Sequence, residues 1–459
     1  MDEKTKNLQN ERNSLFSDYY NNITPKRMPV TFGIHAFIAA ELKGINLKEL
    51  QFDYSLLAPV ANEISQMFYS DTCPFKSVGM ASRIPGCYQA IDSQSFKMGH
   101  NGFMQHPEVE GMKVEEYDEL IADPYKCILE RILPRQHKAL SSENGIRRTL
   151  AIDMMRSEDA RQRSLSAPYA AALTEKYGYY TGAPRGSGGF TAAPYDFLGD
   201  QLRGFSNIST DIRRNRKKVA EACEALLPLM FRLGMPASPH AEGAVGMPLH
   251  MPPYMREKDF AEIWLPTFLK LVRQFAARGS RISAFCEQDW MRYMDYLQEF
   301  PAGSVLKFEY GDPKLIKEKL GNKILISGLF PVLLMRTGTT QQVVDKAKEL
   351  LDILLPGCGY MMEFDKNPLT LNDLKMDNFK ALTEFLHEYA VYDSPGTPFG
   401  TKLNSENYEI DESIANMSSE YFTNWKDYES KYPETPESYR HVLEKYDNDM
   451  LKFYLNLLV

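Results

Sequence analysis

Between residues 260 and 390 the sequence alternates short apolar runs with amphipathic ones, and this rhythm constrains the fold more than any other feature. "FAEIWLPTFLKLVRQFAARG" has apolar residues at helical spacing and a glycine stop at Gly279. "RISAFCE" reads as a strand and "DWMRYMDYLQEF" as a helix opened by Asp289. The strand "SVLKFEY" precedes the short helix "PKLIKEKLG", with Pro313 in its first turn. The strand "KILISGL" precedes the helix "TTQQVVDKAKELLDILL", and "GYMMEF" precedes "KMDNFKALTEFLHEYA". Successive strand-then-helix units imply parallel strands joined by crossovers. At about 30 residues per unit, the chain is long enough for a closed eight-stranded barrel. "MPVTFGI" (28–34), "KSVGMA" (76–81), "YGYYTG" (177–182) and "AVGMPLH" (244–250) supply the other four strands. The expected fold class is α/β, a TIM-type (β/α)8 barrel over residues 25–395 with N-terminal helical insertions. An open doubly wound sheet is the alternative, and no glycine fingerprint supports it.

Outside the barrel, residues 1–24 read as a polar helix and residues 396–459 as a helical extension. The apolar face of that extension must pack on the barrel or on a second copy of the chain, which leaves a homodimer open. A net charge of −8 disfavours a nucleic-acid partner. The basic cluster Arg213, Arg214, Arg216, Lys217 and Lys218 reads as a solvated helix end. No 18-residue apolar run predicts a membrane span, and the N-terminal stretch lacks a signal-type apolar core. Six cysteines without a CxxC pair fit reduced thiols, so a cytoplasmic location is expected. The glycine-dense run "GSGGFTAAPYDFLGDQLRG" (186–204) lacks the spacing of a phosphate loop and reads as a flexible loop entering a capped helix.

Three stretches carry a family resemblance. "AAPYDFLGDQLRGFSNISTDIRRNRKKVAEA", "MPLHMPPYMREKDFAEIWLPTFLKLV" and "GLFPVLLMRTGTTQQVVDKAKELLDILLPGCGYM" resemble, in order, segments of uroporphyrinogen-decarboxylase-like proteins. The resemblance implies an eight-stranded α/β barrel and one of two chemistries. The decarboxylase branch holds a polycarboxylate tetrapyrrole with an arginine-rich N-terminal motif. Here "ITPKRMPVTFGIHAF" lacks that motif, and Arg83, Arg185 and Arg203 are the only mouth-facing cations expected. The other branch moves methyl groups to or from a corrinoid. "FCEQDWMRYMDYLQEFPAG" looks most like its aryl methyl ether demethylating members. The resemblance therefore implies cobalamin carried by a separate corrinoid protein, and a small aromatic methoxy substrate.

In a barrel of this type the site lies at the carboxyl ends of the strands. His35, His250, Cys286, Glu287, Glu309 and Asp312 stand near those ends and are the catalytic candidates. Asp289 and Asp312 could instead cap the helices that they precede. Tyr180, Phe190, Phe103, Met104, Tyr310 and Met362 are the expected substrate contacts. Thiol-methylating relatives use His-x-Cys with a distant Cys. Ala284 replaces that histidine, and Cys358 begins its strand at the far end of the barrel from Cys286. A zinc set built from Cys286 with Glu363 or His250 is the remaining metal option.

Overall fold

The computed structural model describes residues 1–75, 83–141 and 143–459. A two-residue hairpin, β1 (Lys97–Met98) and β2 (Met104–Gln105), stands apart from the main sheet. The main sheet has six strands: β3 (Gly189–Phe190), β4 (Ala244–Leu249), β5 (Arg281–Cys286), β6 (Val305–Phe308), β7 (Leu325–Phe330) and β8 (Tyr360–Phe364). They pair in chain order and every pairing is parallel. The helices named below are α1 (Glu3–Tyr20), α2 (Ala36–Leu42), α3 (Gly145–Tyr177), α4 (Arg216–Gly234), α5 (Leu265–Ala277), α6 (Pro313–Leu320), α7 (Thr340–Leu354), α8 (Met376–Tyr389) and α9 (Arg440–Leu455). Helices α5, α6, α7 and α8 fall where the sequence rhythm places them.

The fold class is α/β of the expected kind. The hydrogen-bond ladder, however, does not close into a full ring among the described residues. Residues 28–34 form no ladder strand, yet they run beside β8: Phe32 packs edge-on to Phe364 with ring centroids 4.7 Å apart, and Met362 N lies 3.4 Å from Met28 Sδ. Asp71 N donates to Val30 O at 2.8 Å, and Tyr180 N donates to Asp71 O at 2.8 Å. Extended segments joined by single bonds therefore stand in that part of the wall where eight ladder strands were expected. Residues 177–182 form no ladder strand: α3 runs to Tyr177, Gly178 caps it, and the rest is irregular. The expected strand 76–81 lies outside the described residues.

The glycine run leads into helical residues from Pro194 as expected, but part of it is a strand and not a free loop. Gly189 and Phe190 pair with Val245 and Gly246 as edge strand β3. A β-carbon on Gly189 would sit 1.8 Å from the carbonyl oxygen of Gly234 at the end of α4. Glycine is needed there for close backbone approach.

Helix α1 closes the lower end of the sheet. Tyr19 and Tyr20 line the central cavity, and Arg281, opening β5, donates to Tyr20 O at 2.6 Å. Asp71 ties the extended wall to α1. It takes two bonds from Arg27, at 2.7 and 2.8 Å, and one from Arg12 at 3.2 Å. Burial pushes its carboxyl pKa up, but the Arg27 guanidinium outweighs this and the net shift is downward. In the C-terminal extension, Leu451 and Leu455 of α9 and the following Leu457 and Leu458 are buried within this chain, with α9 against α4. Part of its apolar face therefore packs within this chain, while Tyr446 and Met450 of α9 stay exposed. Among the described residues no helix is long and apolar enough to cross a membrane.

Candidate active site

Sheet register decides which side chains enter the cavity. Leu249, Cys286, Phe308, Gly328 and Met362 form one row across β4 to β8. Leu249, Cys286, Phe308 and Met362 have no exposed surface and lie under the helices. Side chains alternate across a strand, so the neighbouring row faces inward: Pro248, Phe285, Lys307, Ser327 and Met361 all line a cavity of about 660 Å³. Two residues further on, where the strands end, the inward positions are His250, Glu287, Glu309 and Glu363. Three carboxylates and an imidazole thus share the mouth.

His250 is held from two sides. Its Nδ1 meets Glu287 Oε2, and its backbone N–H donates to Asp196 Oδ1 at 2.7 Å. Asp196 also accepts from Met251 N and from the indole N–H of Trp264. Burial raises the Asp196 pKa to about 6, the Trp264 bond partly opposing it. For His250, burial alone would lower the pKa. The Glu287 hydrogen bond and the nearby Asp200 carboxyl outweigh burial, and the net shift is upward. Glu287 moves the other way, lowered chiefly by its bond to His250. Asp196 lies in the short helix Pro194–Asp196, and Asp200 in the π-turn Phe197–Arg203, which ends at Gly204 with φ of 81°. Single π-turns often mark functional sites, and this one brings Asp200 to the rim. Burial raises the Asp200 pKa.

Glu309 is buried. It accepts from Gln288 N at 2.8 Å and faces Lys366 Nζ at 2.8 Å. Lys307 lies inside the cavity, 3.4 Å from Glu363 Oε2 and 3.4 Å from Asn367 Oδ1, with Phe285 beneath its ammonium. Both lysines are therefore neutralised by a glutamate. Sequence reasoning missed Asp196, Asp200, Lys307 and Lys366. Lys307 had a visible signal, a lone charge in the middle of a barrel strand.

The structure brings together His250, Glu287 and Glu309, with Glu363 in the same layer. Phe190 lines the cavity and is 48% exposed, and Tyr310 stands on the rim at 51%. The other expected residues fall elsewhere. Cys286 and Met362 face outward, and Met361 takes the substrate-facing place expected of Met362. Burial pushes the Cys286 thiol pKa up. Asp312 is exposed and caps α6, accepting from Lys314 N at 2.9 Å. His35 caps α2 through Phe37 N, yet it also lines a neighbouring cavity of about 310 Å³ that shares Glu363. Tyr180 is stacked on Phe16 and bonded to Glu242, which precedes β4, so it stands at the lower end. Phe103 packs edge-on to Phe37, and Met104 lies in β2. Of the expected mouth cations, Arg203 is buried in a pair with Asp211, and Arg185 lies before β3 at the lower end. Only Arg83 reaches the cavity. Among the described residues no three His, Cys, Asp or Glu side chains form a metal-holding group. Cys286 faces away from Glu363, so the proposed zinc set is not assembled.

No curated protein gives a significant match to this chain. Residues 185–389 match the family model described as uroporphyrinogen decarboxylase (URO-D). That stretch contains the whole six-stranded sheet and its inward-facing mouth residues.

Proposed function

We propose that this protein takes a methyl group from an aryl methyl ether and delivers it to the cobalt of a corrinoid carried by a separate protein. The URO-D match fits enzymes of either branch, decarboxylase or methyltransferase. The charge balance at the mouth carries the choice. Lys307 is neutralised by Glu363 and Lys366 by Glu309, which leaves Arg83 alone among the described residues that line the cavity. A tetrapyrrole with many carboxylates needs many convergent cations, because each buried charge needs a partner. A small aromatic ether needs apolar walls, and Phe190, Phe285 and Met361 provide them.

Cobalt(I) would supply the nucleophile when the partner docks. The exposed aromatics Phe205 and Tyr254, packed at 5.0 Å, and the rim residue Tyr310 offer a surface suited to the flat face of a corrin. The chain's own task is to orient the ether and manage the leaving group. A phenolate leaving group has a conjugate acid of pKa about 10 and needs a proton. With Nδ1 engaged by Glu287, Nε2 is the His250 atom left to donate. The Glu287 hydrogen bond and the Asp200 carboxyl favour the protonated ring and raise its pKa against the effect of burial. No step requires zinc.

The test is to incubate the protein with a reduced corrinoid protein and a panel of methoxy aromatics while following corrinoid absorption. Donor-dependent loss of the reduced form supports the reading. No change with any donor, or turnover of a porphyrinogen instead, overturns it.

A further inference from the structure

We propose that Arg83 anchors a carboxylate on the substrate, so that the preferred methyl donors are methoxybenzoate-type anions rather than neutral methoxyphenols. This deepens the demethylase reading and rests on it for the identity of the donor.

Two cations line the barrel cavity, Lys307 and Arg83. Lys307 has Glu363 as its partner. Among the described residues no carboxylate lies within ion-pair distance of Arg83, and the segment that precedes it, 76–82, contains no Asp or Glu. The guanidinium is nevertheless held in place. It lies 4.3 Å from the centroid of Phe96, which is itself stacked on His106 at 4.4 Å, and the Tyr88 side chain stands beside it. Burial lowers its pKa, and the Tyr88 hydroxyl and the Asp200 carboxyl offset this only in part.

Arg83 and Phe190 also line an adjoining cavity of about 690 Å³, so Arg83 stands at a junction with room for a substituent. Arg83 shares the barrel cavity with Pro248 of β4, two residues before His250, and burial raises the pKa of the nearby Asp200 carboxyl. A guanidinium fork matches one carboxylate in a bidentate pair. A ring resting on Phe190 and Phe285 could then point its carboxylate to Arg83 and its ether oxygen to His250.

The experiment measures binding by calorimetry without any corrinoid, using 4-hydroxy-3-methoxybenzoate and its uncharged counterpart 2-methoxyphenol. The anion should bind the wild type about tenfold tighter or more. Arg83→Gln should abolish that preference while leaving 2-methoxyphenol affinity unchanged, and Arg83→Lys should retain part of it. Circular dichroism checks that each variant is folded. Equal affinities in the wild type, no binding of the anion, or a preference that survives Arg83→Gln would overturn the proposal. A preference for the anion without methyl transfer would sink the demethylase reading and leave the Arg83 site standing. Methyl transfer from neutral ethers without preference would do the reverse.

Discussion

His250 reaches the mouth with one ring nitrogen already committed, and that fixes how the reaction should respond to pH. The Glu287 hydrogen bond, with the Asp200 carboxyl, outweighs burial and raises its pKa, so the proton is held to higher pH than in a free imidazole, and the rate should fall as pH rises through that pKa. Glu287→Gln removes the largest upward influence, so the falling limb in a pH–rate profile should move to lower pH. His250→Gln should lower kcat by about a hundredfold, the usual contribution of a positioned acid, with a smaller change in KM. Cys286 gives the opposite expectation. Its thiol faces the helices, so Cys286→Ala should leave methyl transfer intact while lowering stability by about 1 kcal/mol in denaturant unfolding. A dead Cys286→Ala enzyme that still folds would show that the strand register is wrong.

Strands β4 to β8 and helices α5, α6, α7 and α8 were legible in the sequence because each strand run is bounded by turn residues and followed by helical spacing. The helix expected over 289–300, by contrast, is only a 3-10 turn, Met291–Tyr293, and four helical residues, Met294–Leu297. The facing of each strand was not legible. Parallel barrel strands are covered on both sides, so their sequences run apolar throughout, and "RISAFC" does not reveal that Phe285 looks inward while Cys286 looks out. For the same reason Met362 was expected where Met361 stands. Strand β3 was hidden differently: two residues in a glycine run carry no strand signal, and their conformation is set by packing on α4. Gly189→Ala tests that packing. The added carbon meets the Gly234 carbonyl, and thermal or denaturant unfolding should show a loss of about 3 kcal/mol. His250, Glu287 and Glu309 were legible because they directly follow strand runs. Asp196 and Asp200 were not singled out, because only the fold brings the Phe197–Arg203 turn against the end of β4.

Across the whole molecule, two features frame the mouth: a wall of extended segments pinned by Asp71, and a cavity nearly balanced in charge. Asp71→Asn leaves Arg27 and Arg12 without their buried counter-charge and should cost about 3–5 kcal/mol of stability. The sign of the pH effect follows from the lowered pKa. The contribution is complete above the unfolded carboxyl value of about 3.9 and is lost as pH falls through the lower folded value. The wild type should therefore lose this stabilisation in acid, while Asp71→Asn should lack that part of the dependence. The charge balance leads to the central claim, that this cavity serves a small methyl ether. It is tested most directly by supplying an aryl ether labelled with ¹³C in its methyl group, together with the reduced corrinoid protein, and following the label by NMR. The account predicts that the label leaves the ether and appears on the corrinoid in proportion to the phenol formed. Label that stays on the ether, while a porphyrinogen offered to the same preparation loses carbon dioxide, would contradict it.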